Sequence, residues 1–135
     1  MALTGEAMEV FGGNGYVEEG PMGRLFREAP VNSIWEGSGN VMCLDVLRAV
    51  SRNPDDAHLV LDHLQEVAAG EPRVLDALQA VRRMTQLPPQ ELEQQARRFT
   101  QRLVLAAQAC LMLEHASAQE SAAFLSSRFA PDWGR

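Results

Sequence analysis

Two short runs of this sequence have residue types and spacing that could support chemistry: FGGNGY at Phe11–Tyr16 and SIWEGSGN at Ser33–Asn40. The second run places one carboxylate, Glu36, between an aromatic side chain and a glycine. A carboxylate held among apolar groups has a raised pKa and can act as a general base, and Ile34 and Trp35 could form such apolar walls. Alternatively, Glu36 only precedes a helix, where unpaired backbone N–H groups and the helix dipole stabilise a carboxylate.

The glycines of the first run also allow two interpretations. Gly12 and Gly13 could end a helix with a left-handed cap and a turn. The dense glycines, followed by Tyr16, would equally let the backbone approach a flat or phosphate-bearing ligand closely and present amide donors to it. The run is not the dinucleotide-binding fingerprint, because no strand precedes it and its glycine spacing differs.

The cysteines and histidines do not form a metal-binding pattern. Cys43 and Cys110 lie in apolar stretches, so we expect buried free thiols, with a disulfide between them as the alternative. His58 and His63 do not share one face of a helix, and His115 lies near the end of a different predicted helix. We therefore expect no metal site.

All 12 cationic residues of the chain are arginines. They could form a solvated face with ion pairs to Glu91 and Glu93, or a phosphate-binding patch. The net charge of -6 and a pI near 5.0 argue against a general nucleic-acid-binding surface. The arginines that concentrate charge on two later predicted helices are Arg73, Arg82, Arg83, Arg97, Arg98 and Arg102.

Hydrophobic periodicity and the positions of proline and glycine predict an all-α fold, a bundle of about five to six helices. At 135 residues and 46% hydrophobic residues, the chain has the size and composition of one domain with a real core. Val31–Gly37 is predicted to be irregular. A short helical turn is predicted at Met22–Glu28. The predicted helices cover about Leu3–Phe11, a helix from a Ser38 N-cap to Arg52, Pro54–Gly70, Pro72–Leu87, Gln90–His115 and Ala118–Phe129.

Two of these helices have distinctive apolar patterns. The helix after Ser38 is apolar on nearly all sides, so we expect it to be buried. The helix Gln90–His115 carries apolar residues at alternating steps of about four and three, which predicts a seam for antiparallel packing. The residues of this seam are Leu92, Ala96, Phe99, Leu103, Ala106, Cys110 and Leu113.

The stretch AMEVFGGNGYVEEGPMGRLFREAPVNSIWEGSGNVMCLDVLR, Ala7–Arg48, resembles the C-terminal signature of the acyl-CoA dehydrogenase family. Within that family it resembles most closely the AidB branch, the bacterial adaptive-response proteins, in which a tryptophan precedes the glutamate. Residues 54–135 resemble the additional helices that follow in the same branch. The resemblance therefore implies a signature region at 1–53 and additional helices at 54–135, in one compact unit.

The resemblance also implies roles for individual residues. Glu36 occupies the position of the base that removes the α-proton of an acyl-CoA while the β-hydrogen leaves as hydride to the flavin, and Gly37 would lie beside the acyl thioester. Glu9 stands where many members have glutamine, and Ser38 where most have threonine. Two groups would contact FAD: Ser38, Gly39 and Asn40 would border the flavin, and Glu9, Val10, Phe11, Gly12 and Gly13 would contact the FAD of a neighbouring subunit.

The resemblance finally implies what the chain would need in order to act. Family members carry an N-terminal helical domain and a central β-domain that supply most of the flavin and acyl-CoA pocket. We therefore expect the chain alone to retain no FAD, to lack dehydrogenase activity, and to cover its apolar faces by forming a homo-oligomer. A DNA-binding module or a purely structural oligomerisation domain are the alternatives.

The sequence shows no signal peptide and no apolar run approaching the roughly 20 residues that span a bilayer, so we expect a soluble, cytoplasmic protein.

Overall fold

A computed structural model describes residues 2–35 and 37–130. Within these ranges it contains nine α-helices, one 3₁₀ helix and no strand, which confirms the all-α prediction. None of the described helices is long and apolar enough to cross a membrane. The elements are α1 Ala2–Val10, α2 Gly13–Tyr16, α3 Met22–Glu28, the 3₁₀ helix Ala29–Ser33, α4 Gly39–Arg52, α5 Pro54–Val67, α6 Pro72–Met84, α7 Pro89–Gln94, α8 Ala96–His115 and α9 Ala118–Arg128.

The chain divides into two compact units, Met1–Met42 and Cys43–Arg135. In the first unit, α3 packs against both α1 and α2. Helices α1 and α3 come close at Gly5, where an added Cβ atom would lie 3.8 Å from Cε2 of Phe26. Helix α1 buries none of its residues, and Leu3 and Val10 are 82% and 85% exposed. The first unit therefore has little hydrophobic core of its own.

The second unit contains the hydrophobic core. Helix α8 packs against α5, α6, α7 and α9. The core of the second unit consists of apolar side chains that are buried from solvent, as expected for a chain with this hydrophobic content. The largest fully buried side chains are Phe99, Leu78, Val74, Val81 and Cys110.

Most predicted helix ends are confirmed. Helix α3 spans the predicted Met22–Glu28, and prolines begin α5 and α6, where the fixed φ of proline suits the first helical turn. Ser38 directly precedes α4, and its carbonyl accepts a hydrogen bond from the N–H of Met42 at 3.1 Å. Proline and glycine in the sequence are thus reliable markers of where these helices begin and end.

Three local predictions are wrong. Residues 31–33 are not irregular, because Ala29–Ser33 forms a 3₁₀ helix in which the Ser33 hydroxyl donates to the Pro30 carbonyl at 2.8 Å. The helix predicted at Gln90–His115 is interrupted at Gln95, where φ is -105° and ψ is 13°. Helix α4 is not buried on all sides, since only Cys43 and Leu47 among its residues are buried.

The seam predicted from four-three spacing is nevertheless present. Leu92, Ala96 and Phe99 are 7%, 7% and 1% exposed, although the helix break at Gln95 lies among them. Ala106 and Cys110 continue the buried stripe. The spacing therefore predicted the buried face of this region correctly and its helix boundaries incorrectly.

Candidate functional site

The first predicted group, Glu9–Gly13, lies on the surface at the end of α1 and the start of α2. Val10 is 85% exposed and Phe11 is 59% exposed. Gly12 has φ 56° and ψ -141°, so it has the positive φ expected of a capping glycine, but its ψ lies outside the left-handed helical region. The backbone turn therefore depends on glycine at this position, in a different conformation from the predicted cap.

The glycines of this run differ in what surrounds them. A Cβ atom on Gly12 or Gly13 would meet nothing within 4 Å, whereas one on Gly15 would lie 2.4 Å from the carbonyl oxygen of Met8. Gly15 is therefore required by the close approach of α2 to α1. Gly12 and Gly13 face open space, where a group from outside this chain could approach the backbone.

The second predicted group lies at the turn between the 3₁₀ helix and α4. Glu36 itself lies outside the described residues. On one side of it, the N–H groups of Ile34 and Trp35 both donate to the Val31 carbonyl at 3.0 Å. On the other side, Gly37 has φ 122°, and its N–H donates to the Ile34 carbonyl at 3.3 Å. A side chain at Gly37 would be strained, so this turn also requires glycine.

The side chains around this turn are accessible to solvent. Ile34 and Trp35, which we expected to form apolar walls, are 63% and 66% exposed. Ser38 and Asn40 are exposed, and Gly39 is partly buried. The described residues of the second group therefore form an open surface in this chain, and the roles predicted for both groups stay predictions.

Helix α3 connects the two groups, because it packs against α1 and α2 and leads directly into the 3₁₀ helix. The loop before α3 is held by an ion pair that the sequence analysis missed. The Arg27 guanidinium donates to both carboxylate oxygens of Glu18, at 2.7 and 2.9 Å. These hydrogen bonds and the positive charge hold the pKa of Glu18 below its ordinary value. No local sequence pattern links these residues, because they lie on opposite sides of the Gly20-Pro21 turn.

The arginines of the second unit are only partly paired. Arg73 donates to Glu71 at 2.7 Å, and Arg82 pairs with Asp62 and donates to Gln65 at 3.0 Å. These partners differ from Glu91 and Glu93, with which we expected ion pairs.

A second set of arginines in this unit lies close together. Burial lowers the pKa of the Arg102 guanidinium, and the nearby positive charges of Arg98 and Arg83 lower it further. Within the described part of the chain, these three guanidinium groups have no acidic partner at ion-pair distance. They therefore form a local concentration of positive charge on an acidic protein.

The two cysteines are buried free thiols, as predicted. Cys110 donates a hydrogen bond to the Leu64 carbonyl at 3.4 Å, and burial raises the pKa of its thiol. Among residues 2–35 and 37–130, no three side chains of His, Cys, Asp and Glu lie close enough together to hold a metal ion.

Comparison with known proteins finds one family match that includes both groups and several similar proteins. Residues 1–51 match the family described as acyl-CoA dehydrogenase, C-terminal domain. The chain is 46% identical over 117 residues to the putative acyl-CoA dehydrogenase AidB of Escherichia coli (strain K12), and this match covers 87% of the chain and 21% of that protein. The similarity to this relative therefore extends well beyond the two groups into the second unit.

Other matches are shorter. It is 49% identical over 49 residues to acyl-CoA dehydrogenase family member 11 of Caenorhabditis elegans, a match that covers 36% of the chain and 8% of that protein. It is 43% identical over 44 residues to the short-chain specific acyl-CoA dehydrogenase of Megasphaera elsdenii, with 33% of the chain and 12% of that protein covered. The chain thus spans about a fifth or less of the length of these relatives.

Proposed function

We propose that the chain supplies the C-terminal helical part of an FAD-dependent acyl-CoA dehydrogenase, because residues 1–51 match the C-terminal domain of that family and most of the chain is similar to an acyl-CoA dehydrogenase relative. The observation that carries this proposal is the presence of GGNGY and WEGSGN in one compact unit, each at a turn that requires glycine. The reaction would be α,β-dehydrogenation of an acyl-CoA thioester.

In this proposal Glu36 is the catalytic base. Its carboxylate would accept the proton from the α-carbon of the acyl group, with Gly37 beside the thioester. Such a base acts best when water is excluded, because desolvation raises the pKa of a carboxylate towards neutrality. Since Ile34 and Trp35 are exposed in this chain, the shielding groups would come from other parts of the assembled dehydrogenase.

The residues proposed to hold FAD suit a contact with a group outside this chain. Glu9–Gly13 is exposed, and the Cβ positions of Gly12 and Gly13 face open space. Ser38 and Asn40 add exposed polar side chains beside the second turn. FAD, when bound, would accept the hydride that leaves the β-carbon. The carboxylate of Glu9 would repel a phosphate group, so we place the non-phosphate parts of FAD closest to it.

A chimera tests this proposal. The segment of the E. coli relative that matches this chain would be replaced by the chain itself, and bound flavin and acyl-CoA oxidation would be measured by absorbance. We expect Glu36→Gln to retain flavin and to lose turnover by at least about a hundredfold, the scale of general-base catalysis. Glu6→Gln, an exposed glutamate in α1, is the matched control. Equal turnover by the Glu36→Gln chimera and the unmodified chimera would refute the role of Glu36.

We also propose that the purified chain alone neither retains FAD nor dehydrogenates acyl-CoA. A hydride acceptor must be held close to the reacting carbon, and the described residues Glu9–Gly13 lie exposed on the surface of this chain. Mixing the chain with FAD, removing the free cofactor by gel filtration and recording the spectrum tests this. A stoichiometric flavin absorbance in the protein fraction would contradict it.

A second candidate function, DNA binding, rests on the arginine cluster of Arg83, Arg98 and Arg102. Guanidinium groups without acidic partners can bind phosphodiester oxygens and release condensed counterions. Arg98 and Arg102 of the cluster border a recess that Asp76 and Phe129 also line. The overall charge of -6 limits such binding to this local face of the protein.

Duplex binding across a series of salt concentrations tests this second function. We expect Arg98→Gln with Arg102→Gln to weaken binding similarly for all sequences. The slope of log K against log salt should fall by about one for each guanidinium that no longer neutralises a phosphate. The control, Arg24→Gln with Arg52→Gln, removes the same charge from α3 and α4. Equal affinities of the two double variants would exclude the cluster as the DNA-binding surface.

We further propose that the chain self-associates through the first unit. This unit exposes aliphatic and aromatic side chains over a large part of its surface, and such surfaces are commonly covered by a partner. In a symmetric dimer, the first unit of each copy covers the exposed apolar surface of the other. Light scattering after gel filtration should give a dimer mass that falls to the monomer mass for Leu3→Glu with Trp35→Glu. A monomer at high micromolar concentration would contradict the proposal.

A further inference from the structure

An apolar recess opens on the second unit among α4, α5, α6 and α8. The open recess has a volume of about 290 Å³, close to the lower end of the volumes of small-molecule pockets, about 300–1,000 Å³. Buried apolar side chains form its floor: Phe99, Leu61 and Val81 are 1%, 3% and 0% exposed. These three side chains present little surface of their own, so a ligand in the recess would lie against the buried core.

The mouth of the recess is more polar than its floor. Asn53 and Asp56 lie there and are exposed, and Thr85 is partly buried. The Thr85 hydroxyl donates to the Arg82 carbonyl at 2.8 Å and accepts from the Gln86 side-chain amide at 3.5 Å, so it is already hydrogen-bonded within the chain. At the mouth, the Asp56 carboxylate therefore offers acceptors, and the Asn53 amide offers both donors and acceptors.

The charge at the mouth is negative. Within the described part of the chain, Asp56 has no ion-pair partner, and no arginine or histidine lines the recess. Arg82, which lies three residues before Thr85, directs its guanidinium to Asp62 on α5. An anionic ligand such as a fatty acid would place its carboxylate beside Asp56 without a compensating cation, which disfavours it.

We propose that this recess binds a small molecule with an apolar ring or short alkyl chain and a protonated amine. The apolar part fills the space above Phe99, and the ammonium group donates hydrogen bonds to Asp56 at the mouth. Burial of the apolar part supplies most of the affinity, and the carboxylate selects for the positive charge. This binding site lies outside the two groups proposed for dehydrogenation.

Three probes of similar size and different charge test the proposal: phenethylamine, phenethyl alcohol and hydrocinnamate. Their dissociation constants for the full chain would be measured from the methyl NMR shifts of Val60 and Leu103, which line the recess. We expect phenethylamine to bind most tightly, the alcohol more weakly, and hydrocinnamate least. No methyl shift with millimolar phenethylamine, or equal affinity for the three probes, would overturn the proposal.

Two variants locate the binding. Asp56→Asn should weaken phenethylamine about tenfold and leave phenethyl alcohol unchanged, since only the charged hydrogen bond is removed. Asp55→Asn is the matched control, because Asp55 is the adjacent acid in the first turn of α5 but does not line the recess. Ala57→Phe should fill the recess and abolish binding of both probes. Unchanged phenethylamine affinity in Asp56→Asn, an exposed position whose substitution leaves the core intact, would contradict the assignment.

Discussion

A Cβ atom on Gly15 would lie 2.4 Å from the carbonyl oxygen of Met8, far closer than atoms at van der Waals contact. The single helical turn α2 thus lies against the last turn of α1 backbone to backbone. The same Cβ position would lie 3.0 Å from Cβ of Phe11, so a side chain at position 15 would be too close to two residues at once. The turn that holds Gly12 and Gly13 is therefore fixed by a glycine that lies outside the predicted site.

Gly15→Ala should separate α2 from α1. We expect the stability of this region to fall by about 1–3 kcal/mol, the usual cost of overpacking. Hydrogen exchange of the α1 amides, which should become faster, measures the effect. Gly13→Ala is the comparator, because its Cβ would meet nothing within 4 Å, and its exchange rates should change little or slow slightly. Similar acceleration in both variants would show that the contact with Met8 is not the cause.

The sequence predicted well those elements whose ends are marked by proline or glycine. Helices α3, α5 and α6 begin where Pro21, Pro54 and Pro72 indicate. The break at Gln95 could not be predicted, because neither glycine nor proline accompanies it. Helix α2 was also missed, since its glycines have low helix propensity and the contact with Met8 outweighs that propensity.

In the candidate site, too, the features marked by glycine could be predicted from the sequence and those that depend on distant contacts could not. The need for glycine at positions 12 and 37 could be anticipated from the residue type, and both have positive φ. The Glu18–Arg27 ion pair depends on how the loop before α3 folds back, which no local pattern encodes. The exposure of Trp35 could not be anticipated either, because it depends on which other groups cover the turn.

Gly37→Ala should strain the turn before α4. An alanine at φ 122° costs on the order of 1–3 kcal/mol, because its Cβ clashes with the backbone in this conformation. Chemical denaturation should show the loss, with faster hydrogen exchange at the start of α4. Gly70→Ala is the control, since Gly70 has neither a positive φ nor a neighbour within 4 Å of its Cβ position. If Gly37→Ala is as stable as Gly70→Ala, the turn adapts without strain.

The Cys110 thiol should make stability depend on alkaline pH. Burial raises its pKa in the folded state above the ordinary value of 9.0. A group with a raised folded-state pKa contributes stability that is fully present below its unfolded-state pKa and is lost as the pH rises through the folded-state value. The free energy of unfolding should therefore decline above about pH 9. Cys110→Ala should show a smaller decline in the free energy of unfolding, because it lacks this thiol and differs from the wild type at no other cysteine.

Denaturation at a series of pH values from neutral to alkaline measures this dependence. Alkylation provides an independent check, because a buried thiol should react only when the surrounding helices open. The rate at Cys110 should then rise with denaturant in parallel with unfolding. Identical alkaline declines for the wild type and Cys110→Ala would show that other groups control this pH dependence.

Helix α9 should depend on its capping box. The N–H of Glu120 donates to the Ser117 hydroxyl at 3.3 Å, and the N–H of Ser117 donates to the Glu120 carboxylate at 3.0 Å. Ser117→Ala should lower stability by about 0.5–2 kcal/mol, the range measured for N-caps. Ser126→Ala is the control, because its hydroxyl bonds only to the Ala123 carbonyl within α9. Equal effects of the two substitutions in urea denaturation would exclude a specific role for the cap.

The core of the second unit should depend most strongly on Phe99. It is 1% exposed and is among the largest fully buried side chains of the described residues. Phe99→Ala removes its apolar contacts and leaves a cavity, so we expect a loss of about 3–5 kcal/mol. Val104→Ala, on the same helix at a position 47% exposed, should change stability by no more than about 0.5 kcal/mol. Urea denaturation followed by circular dichroism measures both. A loss below about 1 kcal/mol for Phe99→Ala would mean that α8 repacks against α5 and α6 and that the core tolerates the missing ring.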